Sequence, residues 1–285
     1  MRRLCLAAAA ACLLLLAACA GPESWEREIL AMDTVMKLTI YGENAPQAGE
    51  AAVDRIQELE GLLSVTGEDS EIYAANHTGS AQLSPDAAAL LARALTLCRE
   101  TGGALDVTIY PVVRAWGFTT GAYRVPDDGE LTALLERVDY RQAALEGDRL
   151  TLPEGVELDL GAVAKGYTGD QLMALLEGEG VASAIVELGG NVQALGDKPD
   201  GSPWRVALQA PEGGYAGVLE IVDKAVVPSG GYQRYFEQDG EIYWHIIDPA
   251  QGRPARSGLQ SVTIVADEGT LCDGLSTALF VMGRQ

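Results

Sequence analysis

The 285-residue chain carries 41 acidic and 20 basic side chains, which give a formal net charge of −21 at pH 7. Such a surface repels nucleic acid and anionic lipid head groups, so neither is expected as a binding partner. It also repels an anionic nucleotide unless a metal ion, a local lysine or a helix N-terminus offsets the field. A nucleotide ligand would therefore call for a bound cation.

The first eighteen residues have the features of a secretory signal. Two arginines are followed by an apolar stretch, residues 4–16, that is too short to span a bilayer. The sequence then reads Leu16-Ala17-Ala18-Cys19, which resembles a bacterial lipobox and predicts a lipid on Cys19. Ordinary cleavage near residue 18 is the alternative. The lipobox predicts a lipid-anchored protein at the outer face of the bacterial cytoplasmic membrane or in the periplasm, with residues 19–28 as a tether.

The first half of the mature chain predicts one early strand, over residues 35–41, followed by helices. Residues 45–63 have helical spacing that aligns Val53, Ile56 and Leu59 on one face. Ser84 and Pro85 predict the start of a second helix, which runs to residue 98, and a short helix is predicted near residues 128–137. Residues 150–152 and 156–158 predict a hairpin around the intervening Pro-Glu-Gly turn.

The second half predicts one long helix, over residues 161–176, and then mostly strands. The strands are predicted at residues 184–188, 204–209, 218–222, 225–227, 233–237, 242–247 and 261–266, before a last helix at 270–282. Helices and strands alternate without strict βαβ regularity, which favours an α+β fold with mixed or antiparallel sheets and packed helices, in one domain over residues 29–285. The chain stops directly after the last helix, a pattern consistent with a truncated C-terminus.

Two short motifs suggest a phosphate site and a metal site. Residues 159–167 (DLGAVAKGY) put Lys165 at a helix start, among small residues that let a ligand approach the backbone. Residues 273–277 (DGLST) put Asp273 and Thr277 at i and i+4 on one helical face, where oxygen ligands can share Mg²⁺. On local grounds alone, Lys165 would be solvated, Asp273 a helix N-cap and Thr277 an ordinary helical residue.

Three further polar residues are candidates that also have simpler local roles. His245 lies in YWHII, a pattern that equally suits a core strand, and Asp106 lies where it could bond a ligand or cap a turn. Ser229 belongs to the tight turn PSGGY, and most such turns only reverse the chain. A phosphate cradle, oxygen ligands and a histidine together suggest chemistry on a nucleotide pyrophosphate.

In this order, the segments resemble the ApbE family of bacterial FAD:protein FMN transferases, also called flavin transferases. The match covers nearly all of the mature chain, and each piece is weak while the ordered set is highly specific. The pieces are residues 32–35 (MDTV), 70–72 (SEI) with Asn76, 106–108 (DVT), 116–118 (WGF), 159–167, 187–191 (ELGGN), 229–236, 245–249 (HIIDP), 261–265 and 273–277.

The resemblance implies transfer of FMN from FAD to a threonine or serine hydroxyl of a target redox protein, with release of AMP. It implies Mg²⁺ held by Asp273, Thr277 and the backbone of Ala162. It also implies an FAD site with two catalytic candidates, His245 and Lys165, although a nearby carboxylate could equally accept the hydroxyl proton. The residues that match the family's FAD site are Met32, Asp106, Lys165, Glu187, Ser229 and His245. The family's targets are typically flavin-carrying subunits of membrane redox complexes, modified outside the cytoplasm.

One departure from the family and two alternative functions accompany this prediction. Family members often carry a tyrosine shortly before the pair that matches Ser70 and Glu71, whereas residues 64–67 (SVTG) have none, so we expect the flavin ring to stack differently. With water as the acceptor, the same site would make an FAD pyrophosphatase that yields FMN and AMP. A flavin-binding lipoprotein without chemistry is the other alternative. Such a binder needs no metal at the pyrophosphate, so Asp273→Ala would leave its FAD affinity largely intact.

Overall fold

The computed structural model describes residues 23–284. The predicted signal and the predicted lipid site at Cys19 lie outside these residues. None of the helices in the described part of the chain is both long and apolar enough to cross a membrane. The strands are β1 (Ser24–Ala31), β2 (Thr34–Tyr41), β3 (Ser80–Gln82), β4 (Ala144–Glu146), β5 (Arg149–Thr151), β6 (Ser183–Leu188), β7 (Asn191–Leu195), β8 (Trp204–Gln209), β9 (Tyr215–Ile221), β10 (Ala225–Gly230), β11 (Tyr235–Gln238), β12 (Glu241–Trp244), β13 (Ile247–Asp248), β14 (Arg253–Pro254) and β15 (Ser261–Ala266). The helices are α1 (Ala45–Leu63), α2 (Glu71–Thr78), α3 (Pro85–Glu100), α4 (Tyr110–Ala115), α5 (Asp128–Leu135), α6 (Ala164–Gly178) and α7 (Gly269–Met282), with a 3₁₀ turn at Tyr140–Gln142.

One antiparallel sheet of six strands organises the fold, in the order β1-β2-β6-β7-β10-β15. It begins with a hairpin whose two turn residues, Met32 and Asp33, have φ values of 48° and 58°. Positive φ at both positions is typical of a type I′ turn, whose twist suits an antiparallel pair. Strand β1 includes residues 24–28, which we predicted to be part of a tether. That prediction is wrong because these residues form hydrogen-bonded pairs with β2 instead of a linker outside the fold.

Helices α1, α6 and α7 pack against this sheet. The apolar stripe of α1 and the side chains Leu172 and Leu176 of α6 meet buried sheet residues such as Leu38 and Val186. Each large apolar side chain removed from water contributes about 1.5–3 kcal/mol, so this layer fixes how the helices lie on the sheet. Helices α6 and α7 also contact each other. The predicted α+β class with antiparallel sheets is confirmed.

A second layer, formed by α2, α3 and the small sheet β3-β5-β4, corrects one prediction. Residues 150–152 and 156–158 do not form a hairpin, since β5 pairs with β3 and β4. Leu158 instead runs alongside Asn76, whose side-chain amide donates to the Leu158 carbonyl (2.9 Å) and accepts from its N–H (2.7 Å). The amide thus takes the place of a strand partner, which local sequence does not reveal.

A third cluster is aromatic and lies beside His245. Trp116 and Phe118 are buried against α5, and they contact Phe236 and Tyr243 from the two-stranded sheet β11–β12. The strand predicted at 242–247 is interrupted because β12 ends at Trp244 and the next strand starts at 247. His245 therefore lies in the bend between them.

Candidate active site

The first part of the site is the turn at residues 161–163 that leads into α6. Helix α6 begins at Ala164, three residues later than predicted, and its N-cap residue Val163 makes no side-chain capping bond. The Gly166 N–H does not close a helical bond to Ala162, four residues earlier, but donates to Asp273 Oδ2 at 2.9 Å. Within residues 23–284, no N–H donates to the Ala162 carbonyl. A carbonyl at a helix start is thereby left free.

The second part is the buried face of α7. This helix begins at Gly269, so Asp273 lies one turn inside it and the local alternative, a helix N-cap, is wrong. Asp273 is only 5% exposed, and Thr277 follows it by one helical turn on the same face. Ser276 donates to the Asp273 carbonyl at 2.9 Å, while in the described chain no protein group bonds the Thr277 hydroxyl.

Three oxygen atoms from two elements thus have no protein partner: the Ala162 carbonyl, the second carboxylate oxygen of Asp273 and the Thr277 hydroxyl. Carboxylate, carbonyl and hydroxyl oxygens are the donors that Mg²⁺ prefers, and the remaining positions are commonly filled by water and substrate phosphate. Among residues 23–284 there is no cluster of three or more His, Cys, Asp or Glu side chains that could hold a metal. The donor set fits a hard cation.

The electrostatics of Asp273 agree with this fit. Burial raises the pKa of its carboxyl, and the charge of Lys165, the Gly166 N–H and the Asn191 amide offset part of that rise. Asn191 is itself buried; its amide lies close enough to influence this carboxylate, but its Nδ2 atom makes no hydrogen bond within the described residues. A buried carboxylate is costly unless it is paired with positive charge. A bound cation would supply that charge.

Lys165 is the electrostatic centre of the site. The side chain is half-buried in the first turn of α6, so it is not simply a solvated lysine. Its charge acts on three groups: it opposes the rise in the pKa values of Asp273 and Asp159 that burial causes, and it adds to the lowering of the His245 pKa. For Asp159, burial outweighs this effect and raises the pKa, although the carboxylate accepts from the Gly161 N–H at 2.7 Å.

His245 has a defined tautomer. Its Nδ1 lies 3.1 Å from the Arg234 carbonyl, which can only accept, so Nδ1 carries the proton and Nε2 is the free acceptor. Burial lowers the pKa of this imidazole to about 4, and the nearby charges of Lys165 and Arg234 lower it further against the opposing hydrogen bond. The ring is therefore neutral near pH 7. It also packs edge-on against Phe118, with 6.4 Å between ring centroids.

Two more of the predicted flavin residues lie against the same helices. Ser229 is buried at the end of β10, and its hydroxyl lies 2.8 Å from that of Ser276, the residue before Thr277. Met32 lies in the first hairpin turn, and its sulfur accepts from Thr168 at 3.7 Å, one turn beyond Lys165. The structure thus brings Ser229 against α7 and Met32 against α6.

Asp106 and Glu187 are not brought to these groups by any contact in the described chain. Asp106 is buried and accepts from the Thr108 N–H (2.8 Å), the Thr108 hydroxyl (2.6 Å) and the Tyr140 N–H (2.9 Å). Its role here is to organise a turn, which was the simpler local expectation. Glu187 is exposed on β6, between Lys37 and Val192 of the neighbouring strands. Their predicted contacts with flavin remain predictions.

Sequence reasoning gave no site role to the residues that support Asp273, although Gly166 and Asn191 lie within the motifs 159–167 and 187–191. The Gly166 N–H donates to that carboxylate, and a Cβ on Gly166 would overlap the Gly269 carbonyl. Asn191 lies against the same carboxylate. The sequence offers only a glycine after the lysine and an asparagine at a strand start, and neither signal is specific.

Comparison with known proteins agrees with this architecture. A model of the ApbE family matches residues 32–285. An FAD:protein FMN transferase of Treponema pallidum is 36% identical over 287 residues, covering 92% of this chain and 79% of that protein. One from Vibrio cholerae is 37% identical over 247 residues, covering 83% and 74%. The crystal structure of the ApbE protein of Thermotoga maritima matches with a TM-score of 0.87 at 31% identity, over 91% of this chain and 87% of that one.

Fold and sequence together therefore define the class of protein as a flavin transferase. The flavin transferase ApbE from Vibrio cholerae also matches, with a TM-score of 0.85 at 30% identity over 93% of this chain and 89% of that one. The chain belongs to the ApbE family. The predicted family, fold and enzyme class are confirmed.

Proposed function

We propose that the chain transfers FMN from FAD to a threonine or serine hydroxyl of a target redox protein in an Mg²⁺-dependent reaction that releases AMP. Support for the transfer comes from relatives named FAD:protein FMN transferase that are 36% and 37% identical to the chain. Support for the metal comes from one observation, the set of three unpartnered oxygens on Ala162, Asp273 and Thr277. The strongly acidic chain otherwise has little to attract a dinucleotide.

In the proposed reaction, the acceptor oxygen forms a bond to the phosphorus of the FMN half, and the bond from that phosphorus to the bridging oxygen breaks. AMP leaves with the bridging oxygen and its electron pair. A cation held by Ala162, Asp273 and Thr277 would supply charge neutralisation at the phosphoryl oxygens. Lys165, half-buried in the first turn of α6, supplies a second positive charge.

The proton of the acceptor hydroxyl needs a base, and we assign that role to His245. Its neutral ring holds a proton on Nδ1, bonded to the Arg234 carbonyl, and leaves Nε2 free to accept one. Asp159 is the carboxylate alternative, because burial raises its pKa and the Lys165 charge acts on it as well. Substitution of each residue separates the two assignments.

The flavin half of FAD is proposed to extend from the helix starts toward the first hairpin. Met32 and Ser229 would contact it, since each is linked by a side-chain contact to α6 or α7. Asp106 and Glu187 would complete the flavin site. Gly189, beside Glu187, has φ +62°, and a Cβ there would overlap Thr34, so the end of β6 lies against the hairpin.

We also propose that the chain acts while anchored by a lipid on Cys19, at the outer face of the cytoplasmic membrane or in the periplasm. Its targets would be flavin-carrying subunits of membrane redox complexes. The motif Leu16-Ala17-Ala18-Cys19 supports the anchor. Membrane fractionation of wild type and Cys19→Ala tests it, because only the wild type should stay with the membrane after a high-salt wash.

The transferase proposal is tested by mass spectrometry of an acceptor peptide. The full chain in detergent is mixed with FAD, Mg²⁺ and a threonine-containing peptide from a flavin-carrying redox subunit. The expected product is the peptide with the mass of FMN less one water, together with AMP, and it should disappear with EDTA. A matched peptide with valine in place of the threonine should gain no mass.

The other outcomes identify the rival functions. Free FMN and AMP with no peptide adduct, across several threonine and serine peptides, would favour the FAD pyrophosphatase. Intact FAD that binds without Mg²⁺ and is never cleaved would favour the flavin-binding lipoprotein. Either result would contradict the proposed transfer.

A further inference from the structure

Helix α7, which carries two of the three proposed metal ligands, does not cap its own N-terminus. Its N-cap residue Glu268 makes no side-chain capping bond. The capping group comes from α6: Asp170 Oδ1 accepts from the Gly269 N–H at 2.6 Å, and Asp170 Oδ2 accepts from the Thr270 N–H at 2.8 Å and from its hydroxyl at 2.6 Å. A carboxylate suits the positive end of a helix dipole.

Gln193 of β7 connects this cap to Gly166, next to the proposed metal ligands. Its Nε2 donates to Asp170 Oδ1 at 3.1 Å and to the Gly166 carbonyl at 3.2 Å. The N–H of Gly166 in turn donates to Asp273. One chain of hydrogen bonds therefore runs from Asp170 through Gln193 and Gly166 to the Asp273 carboxylate.

The backbones of the two helices touch at this point, which we call the helix crossing. A Cβ on Gly166 would overlap the carbonyl of Gly269, and a Cβ on Gly269 would overlap the Gln193 amide. Two glycines thus allow the close approach, and the cap sets its direction. The crossing decides whether the Gly166 N–H points to Asp273, and hence whether the Ala162 carbonyl is free.

We propose that Asp170 and Gln193 are positioning residues that hold Ala162 and Asp273 at the spacing the cation requires, although neither touches it. The inference rests on the proposed function. Both oxygens of Asp170 accept two hydrogen bonds each, so all four donors depend on one ionised carboxylate. An asparagine there would direct its NH₂ group at two donors in either orientation.

The test compares Asp170→Asn and Gln193→Leu with two controls. Glu268→Gln weakens the ion pair with Arg93 (2.7 and 2.9 Å) at the same helix end, but leaves the cap intact. Asp127→Asn makes the same exchange at a helix cap elsewhere, where Asp127 accepts a 2.8 Å bond from the Glu130 N–H. For each full chain, the Kd of Mn²⁺ is measured by EPR with FAD and no acceptor peptide, alongside kcat, KM for FAD and the melting temperature.

We expect Asp170→Asn to raise the Mn²⁺ Kd at least tenfold and to lower kcat by a similar factor, with KM for FAD within threefold of wild type. Gln193→Leu should also raise the Mn²⁺ Kd and lower kcat. Because this variant keeps the Asp170 cap, it provides the test if Asp170→Asn does not fold. Both controls should stay within twofold in Kd and kcat. A variant with a lower melting temperature but an unchanged Mn²⁺ Kd and kcat would overturn the proposal. Equal changes in Kd and kcat in the two controls would also overturn it.

The wild-type chain separates this proposal from the proposed function. If wild type binds Mn²⁺ but transfers no FMN, the transferase assignment fails while the effect of Asp170→Asn on Mn²⁺ still tests positioning. If wild type transfers FMN and Asp170→Asn matches it in every readout, only the positioning role fails.

Discussion

The helix crossing and the aromatic cluster beside His245 hold the two sides of the site by different means. At the crossing, backbone touches backbone, and the Gly166 N–H reaches Asp273 at 2.9 Å. At the cluster, Phe236 stacks on Tyr243 and on Tyr123 with centroids 5.2 and 5.1 Å apart, and one 3.1 Å bond orients His245. Stacked rings adjust to small changes more readily than touching backbones do. We therefore expect the metal side to tolerate change poorly and the histidine side to tolerate it better.

The largest effect is expected from Asp273→Ala. It removes the buried carboxylate of the metal site, and we expect kcat to fall by about 10³-fold or more, because the charge of the cation at the phosphates is lost. AMP release measured by chromatography checks this. Asp127→Ala, at an exposed cap, is the control and should retain activity. Full activity in Asp273→Ala would contradict the metal site.

Lys165→Met should follow, with a loss of about 10²–10³-fold in kcat/KM, because it removes one positive group at the phosphates and keeps most of the apolar stem. The same substitution should raise the pKa of Asp273, since the Lys165 charge now lowers it. Steady-state kinetics on FAD measure the loss. A change below threefold would mean that the lysine is only solvated.

Gly166→Ala probes the crossing directly. The added Cβ would meet the Gly269 carbonyl and Asp273, so we expect a loss of about 1–3 kcal/mol in the free energy of unfolding together with most of the activity. Gly178 is in the same helix, and a Cβ there would meet open space. Gly178→Ala should therefore leave the free energy of unfolding unchanged or raise it by up to about 1 kcal/mol. Urea unfolding of both variants gives the comparison. Equal behaviour of the two would show that the close approach is unimportant.

His245→Gln should have the mildest effect on stability, with a distinct pH dependence. The native pKa is about 4, below the ordinary value, so between about pH 6.5 and pH 4 the unfolded state binds a proton that the folded state does not. Wild type should therefore lose stability as the pH falls through this range, by about 2 kcal/mol at pH 5 relative to pH 7 when compared with His245→Gln. Melting curves of both proteins at the two pH values measure the difference. Parallel curves would show that the ring is not buried in its neutral form.

Periodicity predicted much of the frame. The helix at Ala45–Leu63 and the strands at Trp204–Gln209 and Ser261–Ala266 lie where their patterns indicated. The helix and the first of these strands each bury one face against a neighbour. The i, i+4 spacing of Asp273 and Thr277 followed from the same reasoning. Where long-range contacts decide, prediction failed: the amide of Asn76 replaces a strand partner for Leu158, 82 residues away.

The hydrogen bonds that support the site were equally hard to predict from the sequence. The hydrogen bond from Gly166 to Asp273 joins residues 107 apart, and the cap that Asp170 provides joins residues 99 and 100 apart. Neither bond leaves a local signature, because an aspartate in the middle of one helix gives no sign that it caps another. Resemblance to a family supplied the proposed ligand set, and only the packed structure explains why the Ala162 carbonyl is free.

The central claim is that Ala162, Asp273 and Thr277 hold the cation that makes this fold a transferase. The most direct measurement is anomalous X-ray diffraction from crystals of the protein grown with FAD and Mn²⁺. The account predicts one strong anomalous peak within about 2.0–2.4 Å of the Ala162 carbonyl oxygen, an Asp273 carboxylate oxygen and the Thr277 hydroxyl. Bound FAD with no peak there, or a peak held by other residues, would contradict it.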